Sequence, residues 1–131
     1  MSYYFSQVVK GKSFDEAIEL VTAGLKNEGF GVLTEIDVAA TLKNKLDVDF
    51  KKYKILGACN PQFAYKALSA EDKVGVFLPC NVVVEENQDG TIEVSAVDPI
   101  ASMSAIQNEE LGGLASEVQE KLKRVISKLK S

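Results

Sequence analysis

Histidine is absent from this chain, and cysteine, methionine and proline are sparse, at two, two and three residues. Without histidine there is no Ser-His-Asp or Cys-His catalytic pair, no histidine-ligated haem and no histidine-containing zinc site. Acid–base chemistry near neutral pH would have to come from a Cys, Glu, Asp, Lys or Tyr with a displaced pKa. No apolar run approaches the ~20 residues that span a bilayer, and the start Met-Ser-Tyr-Tyr-Phe-Ser lacks the basic and apolar regions of a secretory leader. A cytoplasmic protein with no membrane partner is therefore expected. An excess of positive charge is also missing: 15 basic residues meet 19 acidic ones, for a net charge of −4. A protein that tracks phosphates shows a basic stripe, so no nucleic-acid partner is expected. The one basic cluster, Lys121, Lys123, Arg124, Lys128 and Lys130, reads as a solvated helix face at the favourable end of the helix dipole.

What is present suits one domain over residues 1–131, with 46% hydrophobic and 26% charged residues. A chain of this length can bury a core without disulfides or metal. Tyr3–Val9, rich in aromatic and β-branched residues, predicts a strand. Ser13 with Glu16 forms a capping box, and Phe14, Ala17, Ile18, Val21 and Leu25 stripe a helix that Gly29 ends. Phe30–Ile36 predicts a second strand with Phe30, Val32, Thr34 and Ile36 on one face. Asp37 caps a short helix from Val38 to Leu46, with Leu42 and Leu46 four residues apart.

Tyr53–Ala58 predicts a third strand. Asn60 and Pro61 then make a helix start, since asparagine favours the N-cap and proline the first helical position. Phe63, Ala64, Ala67 and Leu68 give that helix a buried face, and Glu71–Lys73 a polar turn. The run Val74–Leu78 predicts a buried strand with Pro79 kinking it, and Val82-Val83-Val84 predicts burial on both faces. Asn87–Gly90 predicts a hairpin turn, after which Ile92, Val94 and Ala96 share one face up to Asp98-Pro99. Ile100–Gln107 predicts a loop. A last helix runs to Lys130 on the stripe Leu111, Leu114, Ala115, Val118, Leu122, Val125, Ile126 and Leu129, with Gly112 and Gly113 weakening its first turn. This order predicts an α+β fold, an antiparallel sheet backed by helices.

The candidate chemistry sits in two Cys-Asn pairs, each beside a proline. Cys59 precedes a helix N-terminus, where positive partial charge favours a thiolate. Cys80 follows Pro79, which can re-aim its side chain out of the strand's alternation. Each is equally a small buried hydrophobe. Twenty residues separate the two, so they form no CxxC motif. A structural disulfide does not suit a cytoplasmic chain. Two thiols make an incomplete zinc site, so no metal and no cofactor is assigned; a site shared across a dimer, or a Cu(I) site that includes Met103, is the soft-ligand alternative. Asn60 has a capping role to account for it, whereas Asn81 has none. Asp98 can accept from a ligand or terminate a strand. Glu85 and Glu86 point to opposite faces of a strand and do not form an acid–base pair.

With these residues in view, the sequence resembles the domain of unknown function 302 family, uncharacterised proteins of bacteria and archaea. The likeness lies in Ile55-Leu-Gly-Ala-Cys-Asn-Pro61, Ala67-Leu68, Leu78-Pro-Cys-Asn-Val-Val-Val84, Asp89-Gly90 and Val97-Asp98-Pro99 followed by Met103. The resemblance implies a TATA-binding-protein-like β-α-β4-α fold with extra short helices, and a dimer; it carries no established activity to Cys59 or Cys80. The expected function is a homodimeric small-ligand-binding domain with a pocket around Cys59, Asn60, Cys80, Asn81, Asp98 and Met103, for sites gather where rigid elements end. One alternative is a thiol- or sulfur-handling enzyme or carrier using Cys59 and Cys80. The other is a structural or adaptor protein with no ligand.

Overall fold

A computed structural model of the chain describes residues 2–129. Five strands, β1 (Tyr4–Val9), β2 (Gly31–Asp37), β3 (Tyr53–Cys59), β4 (Cys80–Glu86) and β5 (Ile92–Val97), form one antiparallel sheet in the order β1-β5-β4-β3-β2. Its helices are α1 (Phe14–Asn27), α2 (Val38–Leu46), α3 (Pro61–Ala70), α4 (Pro99–Ser102) and α5 (Glu109–Ser127), with a 3₁₀ turn at Asp72–Phe77. This is the β-α-β4-α arrangement with short helices inserted.

Among the described residues, helices cover one face of the sheet and leave the other uncovered. On the covered face Val82, Val84, Ile92, Val94, Ala96, Leu56 and Ala58 meet the stripes of α1 and α5: Phe14, Ala17, Val21 and Leu25 from one, Val118, Leu122, Val125 and Ile126 from the other. A smaller cluster, Ala67, Val74 and Leu111 with Leu78, Met103, Ile106 and Leu114 around it, fills the space under α3. The α1 start is capped as expected: Ser13 Oγ accepts from the Glu16 amide at 3.1 Å, and Glu16 accepts from the Ser13 amide at 2.9 Å. At the other end of α1, Glu28 accepts a two-pronged bond from Arg124 of α5 at 3.1 and 3.2 Å. That guanidinium holds the Glu28 carboxyl below the usual carboxylate range. Lys121 lies 3.8 Å from the same carboxylate. Part of the basic cluster therefore ties α5 to α1; Lys130 lies outside the described residues.

Several elements depart from expectation. Val74–Leu78 is no strand: Val74 alone is buried, Val76 is 79% exposed, and the segment winds as the 3₁₀ turn. A short apolar run carries no periodicity that tells a strand from a helical turn. Val82 and Val84 are buried but Val83 is only half-buried, because the helices cover one face alone. The 100–107 loop begins as α4, with Asp98 at its N-cap and Pro99 in its first turn. In β2 the register slips between Val32 and Thr34, so a bulge at Leu33 breaks the predicted alternation, and Phe30 lies buried just before the strand. Leu68 turns outward at 45% exposure. Helix α5 ends at Ser127, although Leu129 beyond it is still buried.

Candidate functional site

The two cysteines meet at neighbouring strand ends. Cys59 closes β3 and Cys80 opens β4, and the register pairs Ala58 with Cys80, so the two cysteines stand one residue apart along adjacent strands. Pro79 does not interrupt β4 but precedes it, and Cys80 keeps the strand's alternation: it is buried with Val82 and Val84, and its side chain is not re-aimed. Close approach at this corner depends on Gly57. A Cβ there would lie 2.8 Å from Pro79 Cγ and collide with the Thr34 hydroxyl, so only glycine lets β2 and the Pro79 ring close over β3.

Both cysteines are among the residues that line one cavity of about 50 Å³. Its floor is Phe30, Ala58 and Cys80. Its walls are Phe63, Ala64 and Ala67 of α3, Pro99 of α4 with Met103 just after it, and Leu111, Leu114, Ala115 and Val118 of α5. Asn60 touches the rim, and the lining is otherwise almost wholly apolar. Cys59 is half-buried and Cys80 buried. Burial pushes the Cys80 thiol up to about 11, with the neighbouring Cys59 adding to the shift. Cys80 is therefore a neutral thiol at physiological pH.

Of the six residues singled out in the sequence, Cys59, Asn60, Cys80 and Met103 come together here. The Asn60 side chain caps α3, accepting from the Phe63 amide at 3.5 Å, and donates to the Glu28 carbonyl at 3.4 Å, so its polar atoms serve the scaffold. Asp98 stands outside the cavity lining: its Oδ1 accepts from the Ile100 amide at 3.0 Å and from Gln119 at 3.1 Å. Asn81 pairs with Gly57 on the uncovered face, exposed, and lines a different feature.

That feature is a shallow groove lined by Tyr3, Tyr4, Tyr53, Asn81, Val83, Glu85, Glu93, Ser95 and Val97. Glu85 and Glu86 do face opposite ways, but Glu85 stands directly opposite Glu93 of β5. Lys51 bonds Glu85 at 2.6 Å, which raises the lysine pKa and eases the repulsion between the two carboxylates. Only the register of β4 against β5 reveals this pair; no local pattern in the sequence carries it.

A family model described as "Domain of unknown function DUF302" matches residues 5–129. Among solved structures, the crystal structure of uncharacterized conserved protein DUF302 from Bacillus stearothermophilus is similar at a TM-score of 0.89 and 30% identity, over 97% of this chain and 98% of that one. No curated protein matches the chain.

Proposed function

The chain belongs to the DUF302 family, and we propose that it is a homodimeric small-ligand-binding domain whose pocket is the cavity between α3, α5 and the ends of β3 and β4. The observation that carries this is the convergence of Cys59, Cys80 and Met103 on one apolar cavity. Asn60 and Asp98 act as positioning residues, the first fixing α3 and the second α4 and α5. Asn81 is not part of the pocket. A cavity of about 150 Å³ takes benzene, and a water's share of the liquid is about 30 Å³. At about 50 Å³ the pocket suits an occupant of very few heavy atoms.

Xenon is a suitable probe. Under xenon pressure, the amide resonances of Ala58, Ala64 and Ala115 are expected to shift while those of the uncovered sheet face stay put. Ala64→Leu, which fills the cavity, is expected to abolish the shifts. Shifts spread evenly over the molecule, or none, would refute a ligand pocket here.

The second copy covers the bare sheet face. Tyr4, Val8 and Ile36 are exposed there, and Ile55, Val83 and Val97 half-exposed, apolar side chains set among Asn81, Glu85, Glu93 and Ser95 that a partner's face would cover. Light scattering is expected to return twice the chain mass for the native protein and the chain mass for Val83→Lys. The rival reading, thiol or sulfur chemistry, draws support from the partial exposure of Cys59 next to a second thiol. The raised pKa of Cys80 weighs against that residue as the attacking thiolate.

A further inference from the structure

We propose that the cavity binds a short-chain carboxylate, its aliphatic tail among the apolar walls and its carboxylate at the rim beside Phe63, facing the ammonium groups of Lys66 and Lys121; this names the ligand class for the pocket reading above and rests on it. Size sets the tail. Benzene, with six carbons, takes a cavity of about 150 Å³, so about 50 Å³ holds a tail of about two carbons. The walls offer that tail hydrocarbon, from Ala64 and Ala67 of α3 and Leu111 and Ala115 of α5. A charged head drawn into such walls would lose its water with nothing to replace it, so it stays at the rim.

Charge sets the head. Phe63 of the wall is half-buried, and two cations stand against its ring: Lys66 Nζ and Lys121 Nζ each lie 5.9 Å from the ring centroid. Neither is spent on a close ion pair. Lys121 approaches Glu28 only to 3.8 Å, and both oxygens of that carboxylate already accept from Arg124, at 3.1 and 3.2 Å. Lys66 has no carboxylate within 4.0 Å among the described residues; Glu110 lines a surface hollow with it but forms no ion pair. Asn60 joins this corner to the cavity, touching the rim and donating to the Glu28 carbonyl at 3.4 Å. Arg124, Lys121 and Lys66 therefore gather here against the one carboxylate of Glu28, and the excess of positive charge beside an apolar cavity fits an anion with an apolar tail.

The test is an NMR titration of the intact protein with sodium propionate, read on the amide resonances of Ala58, Ala64 and Lys66, with propylammonium and hexanoate as comparisons. Saturable shifts with propionate are expected, weakening as sodium chloride is raised. Lys66→Gln and Lys121→Gln are each expected to weaken binding about threefold and the double variant about tenfold, the scale of exposed ion pairs. Neither lysine belongs to the core, so these variants keep the fold. Propylammonium binding as tightly as propionate, tighter binding of hexanoate, or affinity unmoved in the double variant would overturn the assignment. The xenon measurement on the same sample separates the two failures. Xenon shifts at Ala58 and Ala64 without propionate binding sink the carboxylate and leave the pocket; loss of both sinks both.

Discussion

Cys59-Asn60 and Cys80-Asn81 are the same dipeptide, and the fold uses them differently. After Cys59 the backbone turns into a helix, so Asn60 becomes an N-cap and reaches back to the end of α1. After Cys80 the backbone runs on as a strand, so alternation sends Asn81 to the uncovered face. Between the two corners the cysteines share a cavity while the asparagines part company. What a short motif does is decided by the backbone that follows it: a helix start consumes an asparagine side chain, and a strand merely assigns it a face.

The contrast can be broken most severely at Gly57, which both corners need. Gly57→Val pushes a side chain into Pro79 and Thr34, and a loss of about 3 kcal/mol by urea denaturation is expected. Adding Thr34→Ala should recover only part of this, because the proline ring remains. The two thiols come next. Cys80→Ser buries a hydroxyl in an apolar cavity and is expected to cost about 2 kcal/mol, with Cys59→Ser costing less since its sulfur still reaches the rim.

Labelling by iodoacetamide sharpens the same pair. Cys59 is expected to react in the native protein, and Cys80 only on unfolding or at strongly alkaline pH. Because folding raises the Cys80 pKa from 9.0 to about 11, its contribution to stability is whole below pH 9.0 and disappears as the pH climbs toward about 11. A thermal melting series over that range should show the decline, and Cys80→Ala should flatten it. The asparagines give the smallest effects. Asn60→Ala removes a cap and is expected to cost about 1 kcal/mol. Asn81→Ala, exposed and away from the cavity, should stay within about 0.5 kcal/mol. Equal losses at the two would erase the distinction drawn between them.

Where the residues themselves state a local rule, the chain is legible without its fold. Ser13 and Glu16 announce the start of α1, Asn60 and Pro61 that of α3, and Gly90 the hairpin, where it takes a φ of 85°. The alternation in β5 names its buried residues, and the stripe on α5 names all of that helix's buried residues while adding Leu114, which is half-buried. The 3₁₀ turn was not legible, because Val74–Leu78 is apolar at every position but one and offers no period. The bulge at Leu33 and the outward face of Val83 were not legible either, since each depends on a neighbouring strand or on a helix that is not there.

By itself, the sequence determined the α+β class, the five strands and the capped starts of the longer helices, and it named six candidate residues of which four line the cavity. Propensity, capping and periodicity act over a few residues, and that is the range at which a sequence speaks. The tertiary structure alone decided that Cys59 and Cys80 are neighbours, that Asn81 faces away from them and that Glu85 confronts Glu93. These are matters of register between strands distant in sequence, and a shift of one residue in that register would send every side chain of β4 to the opposite face.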